Sequence, residues 1–308
     1  MSSQLPHELS TRIAAWLETN GEANRTQAAA LSKAYRQGET STAISLAAYL
    51  TTRLPATYAA VSAALEQVQQ VVPQFAPQSM LDVGAGPGTA SFAAQITWPT
   101  LQSITMIEQD ARFARLAQYM SPTAKVEQQP LQNMRAEAGL VMAAYVLAEL
   151  PEAHAAALAA RLWAATQSLL IIIEPGTTQG FARIRAARAA LIKNGAHVIG
   201  PCTHANTCPM AKDDWCHFKT RLPRSRAHMQ AKSATVPFED ESFSWIAVAR
   251  QPALLPKSRI IAPPILNKIG AHFRLCGDQG VRETTIASRD KPAYKLARKK
   301  KWGESLDV

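Results

Sequence analysis

Apolar residues recur at helical spacing through the first 75 positions: Leu9, Ile13, Trp16 and Leu17, then Ile44, Ala47, Ala48 and Leu50, then Tyr58, Val61, Leu65 and Val68. Side chains three and four apart share one helix face, so this pattern predicts a helical cap over residues 1–75. Gly21 and Gly38 mark turns within it, and Pro55 and Pro73 punctuate it. From Ser79 the pattern changes to short apolar runs alternating with Ala-rich helical stretches. Strands are predicted at 80–83, 104–107, around Val126, and at 140–146, 169–173 and 243–249, with helices from Thr89 and over 112–119, 152–163 and 181–193. Continuous apolar strands separated by helices are buried on both faces, which predicts an α/β fold with a parallel, Rossmann-like sheet. Residues 76–200 and 243–250 are assigned to it. Residues 201–242 form an irregular insertion rich in Cys, Pro, His and charge. Residues 251–308 alternate in short segments, predicting a small β extension with a basic tail.

A strand that runs into closely spaced glycines marks a ligand loop. In Leu81-Asp82-Val83-Gly84-Ala85-Gly86-Pro87-Gly88-Thr89 the glycines let the backbone approach a ligand, and the next helix offers its N-terminal N–H groups. A dinucleotide fingerprint needs a sixth-position glycine, and Thr89 stands there. The spacing G-x-G-x-G with Asp82 two residues before it is similar to the first motif of class I S-adenosylmethionine-dependent methyltransferases. Glu108 follows Gly86 by 22 residues, at the end of the next strand, where an acid binds ribose hydroxyls. Asp82, Gly84, Gly86, Gly88 and Glu108 are therefore the cofactor candidates. Tyr145, Glu149 and Glu174, at the ends of the fourth and fifth strands, are substrate-pocket candidates. No catalytic residue is named: the Asn/Asp-Pro-Pro-Tyr/Phe element is absent, as is a cysteine nucleophile after strand four.

Composition and charge sharpen this picture. With 47% hydrophobic and 18% charged residues, the 308-residue chain can bury a sizeable core. The longest apolar runs are too short to cross a bilayer, and no membrane partner is expected. Residues 1–20 read as neither a secretory signal nor a transit peptide, so a cytoplasmic location is expected. The net charge of +10 is one-sided: residues 1–180 carry 10 Lys/Arg against 13 Asp/Glu, and residues 181–308 carry 23 against 10. Clustered cations attract polyphosphate, so nucleic acid is the expected partner. Arg221, Arg224, Arg226, Lys299, Lys300 and Lys301 are the RNA-binding candidates. The oligomeric state is not legible.

The chain has four cysteines, Cys202, Cys208, Cys216 and Cys276, three of them within fifteen residues. Clustered thiols are more often metal ligands than disulfides outside oxidising compartments. The C-x5-C-x7-C spacing fits no paired-knuckle zinc ribbon. Four thiolates, one from a distant segment, suit a [4Fe–4S] cluster, with zinc as the alternative. His204 and His217 are possible substitute ligands.

Residues 201–250 (Cys-x5-Cys-Pro, Asp-Trp-Cys-His-Phe, Arg-Ser-Arg-x-His, Pro-Phe-Glu-Asp-Glu-x-Phe-Ser-Trp) resemble the methyltransferase-like assembly factors of the small ribosomal subunit, bacterial and mitochondrial. Tyr49-Leu50-x-x-Arg53-Leu54-Pro55-Ala56-Thr57-Tyr58, Tyr145-Val146-Leu147-x-Glu149-Leu150, Glu174-Pro175-Gly176 and Ala297-Arg298-Lys299-x-x-Trp302-Gly303 are similar to that family too. The resemblance implies a class I methyltransferase fold, bound S-adenosylmethionine, and a [4Fe–4S] cluster on Cys202, Cys208, Cys216 and Cys276. It also implies association with the small subunit and its rRNA. An active rRNA methyltransferase with a structural cluster, or a zinc-containing RNA-binding protein, are the alternatives.

Overall fold

The computed structural model describes residues 4–37 and 44–307; Gly38 lies outside them. The amphipathic pattern of the first segment forms α1 (His7–Asn20) and α2 (Arg25–Gln37). A short α3 (Leu46–Ala48) then passes through a π-helical turn, Tyr49–Arg53, into α4 (Leu54–Val71), with Pro55 in its first turn. The helix is continuous across this turn, and Pro55, which brings no N–H, sits where its hydrogen bonding changes from π to α spacing. α4 buries Leu54, Tyr58, Val61, Leu65 and Val68 along one stripe, which seats it on the sheet.

The sheet is built from β1 (Ser79–Val83), β2 (Ser103–Glu108), β3 (Lys125–Gln128), β4 (Ala138–Ala144), β5 (Thr166–Pro175), β6 (His197–Gly200), β7 (Phe218–Pro223) and β8 (Phe238–Ala249). Its order is β3-β2-β1-β4-β5-β8-β6, with β7 pairing β8. The first five strands are parallel, and β8 runs antiparallel to β5, β6 and β7. This is the Rossmann-like class I methyltransferase arrangement. The connecting helices are α5 (Thr89–Thr97), α6 (Ala111–Met120), α7 (Ala155–Ala164) and α8 (Thr178–Lys193). On β5, Leu169, Ile171 and Ile173 face one core while Leu170 and Ile172 face the other, so alternate side chains bind different layers. Each such fully buried aliphatic side chain contributes about 1.5–3 kcal/mol.

Three elements were not expected from the pattern. β6 is only four residues long, and the 201–242 insertion contains β7 and α9 (Arg226–Lys232). β7 buries only Phe218 and Leu222 between exposed charges, so its alternation is masked by lysine and arginine. β8 starts five residues before the predicted 243, because that first stretch pairs with β7 rather than with β5.

The C-terminal extension is a four-stranded antiparallel sheet: β9 (Ser258–Ile260), β10 (Ile265–Leu266), β11 (Gly270–Gly277) and β12 (Gly280–Ala287). It is followed by α10 (Lys291–Ala297), and Ile260, Phe273, Leu275, Ala297 and Leu306 form its own small core. No helix among the described residues is long and apolar enough to cross a membrane.

Candidate cofactor and metal sites

β1 ends in a turn where Gly84, Gly86 and Gly88 all have positive φ. A Cβ on Gly84 would lie 2.6 Å from Val146, so the loop after β4 closes on it. A Cβ on Gly86 would meet nothing nearer than the Tyr49 hydroxyl at 3.6 Å; this glycine faces open space. Gly88 instead caps α5 and backs onto Met106, away from the cavity. Glu108, at the end of β2, accepts hydrogen bonds from Gly86 N and Asp110 N, both at 2.8 Å, and so ties the loop to the neighbouring strand. Asp82 is buried and accepts from Ser91 N and Ser91 Oγ, which anchors α5 to β1.

Gly84, Gly86 and Glu108 border a cavity of about 590 Å³ whose wall also includes Asp110, Tyr145 and Glu149. Loss of hydration pushes Asp82 up to about 6. Burial also raises Glu108, against the N–H groups that stabilise its charge. Glu149 is exposed at the cavity mouth; partial loss of hydration, then the charges of Glu108 and Asp110, raise its carboxyl. An acidic cavity with a glycine edge fits a nucleoside that carries positive charge.

Of the remaining pocket candidates, Tyr145 lies in the cavity wall and Glu174 beneath it. Tyr145 leaves β4 with φ +64, a conformation rare for a bulky residue. Its O–H donates to Glu241 Oε1 at 2.9 Å, the Arg53 guanidinium also reaches Glu241 at 2.9 Å, and Arg53 sits 4.4 Å over the Tyr145 ring. Beyond this partition lies a second cleft of about 780 Å³, walled by Arg53, Arg183, Glu241 and residues 175–180. Glu174 has no exposed surface; its Oε1 accepts from Leu147 N at 2.7 Å and braces the loop that carries Glu149. Arg53 and Glu241 were not singled out from sequence. Both lie inside the quoted motifs, but nothing in either motif says that they meet.

The four cysteines come from the loops after β6 and before β7, and from β11. All are reduced and half-buried, and all border one small apolar cavity with Phe181, Met210 and Trp245. The cavity holds about 30 Å³, room for a water or two. Among the described residues, no three His, Cys, Asp or Glu side chains converge on a single ion. Burial raises the Cys202 and Cys216 thiols, and burial with the neighbouring thiols pushes Cys276 up to about 12.

Arg188 lines this cavity, and a second buried arginine, Arg259, acts on Cys202 and Cys216. Arg188 donates to His204 O and Asn206 O, and Arg259 to Pro201 O and Gly303 O. Each keeps a buried N–H without a partner, and among the described residues neither pairs with a carboxylate. Buried cations need counter-charge, and the nearest groups able to become anions are the thiols, whose charged form both arginines favour. The donor set thus fits an anionic thiolate centre. His204 Nε2 lies 3.9 Å from Cys276 Sγ, whereas His217 stacks on Trp215 and meets Trp302 edge-on. Trp215 Nε1 donates to Gly176 O at 3.0 Å, and Ser244 Oγ donates to Cys216 O at 2.8 Å.

The basic candidates divide in two. Arg221 makes a bidentate pair with Asp240 (2.7 and 2.8 Å) and lies over Phe238, and Arg224 pairs with Glu239. Arg226 is exposed at the start of α9; Lys299 and Lys301 are exposed and Lys300 half-buried just after α10.

Residues 43–307 match the family model described as "Mitochondrial small ribosomal subunit Rsm22". The human "Ribosome assembly protein METTL17, mitochondrial" is 26% identical over 287 residues, covering 84% of this chain and 62% of that protein. The "Rsm22-cox11 tandem protein 2, mitochondrial" of Schizosaccharomyces pombe is 26% identical over 318 residues, covering 83% of this chain and 42% of its own. The chain therefore spans less than two thirds of these relatives. Among solved structures, magnesium protoporphyrin IX methyltransferase from Synechocystis PCC 6803 with bound SAH aligns at a TM-score of 0.43 and 13% identity, over 71% of this chain and 94% of that one.

Proposed function

The chain belongs to the Rsm22 family, and from that premise we propose that it is a methyltransferase-like assembly factor of the small ribosomal subunit. In this reading it binds S-adenosylmethionine, holds a [4Fe–4S] cluster and contacts small-subunit rRNA. Gly84, Gly86, Glu108 and Glu149 would hold the cofactor, with Asp82 and Ser91 fixing the strand and helix that present the loop. The bound cofactor supplies an electrophilic methyl group. Cys202, Cys208, Cys216 and Cys276 would hold the cluster, which supplies a covalent tie between the insertion and β11. Arg188 and Arg259 offset its negative charge, and Phe181, Met210 and Trp245 keep water out. Arg226 and the lysines after α10 would meet phosphate, while Arg221 and Arg224 shape the surface through their carboxylate partners.

The observation that carries this reading is the convergence of four thiols and the buried Arg188 on one cavity, with the buried Arg259 acting on Cys202 and Cys216 from outside its wall. Anaerobic purification with iron, sulfide and zinc quantified tests it. About four irons and four sulfides per chain are expected; one zinc and no colour would remove the cluster. Co-sedimentation with small subunits tests the partner. A second reading, an active rRNA methyltransferase, draws support from the cleft beyond Tyr145 at the carboxyl ends of β4 and β5. Methyl transfer to small-subunit RNA separates the two.

A further inference from the structure

Strand β7 turns Phe218 and Leu222 inward and Lys219 and Arg221 outward. At the same alternation Trp215 and His217 continue the outward set, their rings stacked at 5.1 Å. On this face cations and rings alternate. His217 meets Trp302 edge-on at 4.9 Å, Lys219 Nζ stands 5.9 Å over the Trp302 ring, and the Arg221 guanidinium 4.0 Å over Phe238. Across the ladder Lys219 pairs with Ser242, Arg221 with Asp240 and Pro223 with Phe238, so those residues of β8 share the face. The insertion, the start of β8 and the chain after α10 thus supply one row. Trp215, His217 and Trp302 are half-buried, Phe238 is 36% exposed, and Lys219 and Lys301 are exposed. The acids beside the row, Asp214 and Asp240, are held by Arg274 and Arg221, which leaves Lys219 as its surplus cation.

We propose that this row is a stacking platform for unpaired RNA, with bases against Trp302 and Phe238 and phosphates against Lys219 and Lys301. This rests on the reading of the chain as a factor that contacts small-subunit RNA, and it names the form of RNA that the surface takes. A base offers its π face only when it is unpaired, because in a duplex its neighbours cover that face. Aromatic rings then hold it with little regard for sequence, while flanking cations track the backbone. His217 and Trp215 brace Trp302 from the side and so fix the angle of its ring. A basic patch alone favours a duplex, whose charge is denser; a row of rings between cations reverses that order. The row also has a destination. Asp240 and Ser242 belong both to it and to the wall of the 780 Å³ cleft, so a strand laid along the rings is led to the cleft.

The test is fluorescence anisotropy of the intact, anaerobically purified chain with two labelled probes over a salt series. One probe is a short oligoadenylate and the other a blunt RNA duplex with the same number of phosphates. Wild type is compared with Trp302→Leu, Phe238→Leu and Lys219→Gln, and with Tyr119→Leu, which removes an exposed ring on α6 outside the row. Trp302→Leu and Phe238→Leu should each weaken oligoadenylate binding by about five- to a hundredfold, with the salt slope and the duplex affinity close to wild type. Lys219→Gln should instead lower the oligoadenylate salt slope by about 0.7. Tyr119→Leu should change neither. Trp302 also packs on the main core, so Phe238→Leu, at an exposed position, decides the matter if Trp302→Leu does not fold. Wild-type oligoadenylate affinity in Phe238→Leu, or an equal loss on the duplex, overturns the platform while the RNA reading stands. Failure of wild type to bind either probe overturns the RNA reading and the platform with it.

Discussion

Glu174→Gln should remove a fall in stability between pH 5 and 8 and so reverse which of the two proteins is the more stable. The wild-type carboxyl is fully buried, one oxygen accepts from Leu147 N, and the other has no partner. Burial raises it from the ordinary 4.5 to about 8, against the Leu147 N–H and the Arg183 charge. A raised carboxyl favours the folded state most at low pH: below 4.5 it is protonated folded and unfolded alike. Between 4.5 and 8 the unfolded chain ionises and the folded chain does not, so stability falls through this window. At about 1.4 kcal/mol per tenfold, the loss approaches about 4–5 kcal/mol by pH 8, and relaxation around the site brings it to about 3–5. Glutamine keeps the acceptor for Leu147 but adds a buried N–H without a partner, costing about 1 kcal/mol or more. The variant is therefore expected to be the less stable at pH 5 and the more stable at pH 8. Urea unfolding of both proteins at half-unit steps from pH 5 to 8 measures this. Parallel curves would refute a neutral, buried Glu174.

Gly180→Ala would place a methyl 2.0 Å from Pro175 O, a backbone atom with no room to yield, and should lower Tm by well over 5 °C or prevent folding. Arg188→Met leaves all four thiols in place but removes one buried cation; iron retained after anaerobic gel filtration should drop, and unchanged iron would show that the arginine plays no electrostatic part. Tyr145→Phe removes the bond to Glu241 while the ring stays under Arg53, so stability should fall by about 0.5–1.5 kcal/mol in thermal or urea unfolding. Replacing Lys299, Lys300 and Lys301 with Gln should flatten the salt dependence of RNA binding by about 2–3 in log–log slope, whereas Arg221→Gln should leave the slope close to wild type because Asp240 already takes its charge.

The parallel strands and the glycine turn were legible because each depends on residues close in sequence: apolar runs for β1, β2, β4 and β5, and an acid at the end of β2. What escaped had longer reach or weaker local signal. Tyr145 and Glu241 are 96 positions apart, and only the pairing of β8 beside β5 brings them together. Strand β7 was hidden by its exposed Lys219 and Arg221. Arg188 shows a signal that was present but outweighed. It belongs to the basic run of the C-terminal half, yet it is spaced four from Ile184 and three from Leu191, both buried on the same face of α8. Helical period, not charge, decides where it points. Running charges together along the chain therefore overstates the surface available to a polyanion.

The Trp215 indole lies one residue before Cys216, and its donor holds the carbonyl of Gly176, in the floor of the 780 Å³ cleft. Gly176 has no slack of its own, since even a methyl there would come within 2.6 Å of Phe243 N. Cys216 and the floor of the cleft are thus joined through one neighbouring residue and one hydrogen bond. The loop proposed to hold the cluster and the neighbouring cleft therefore share a wall.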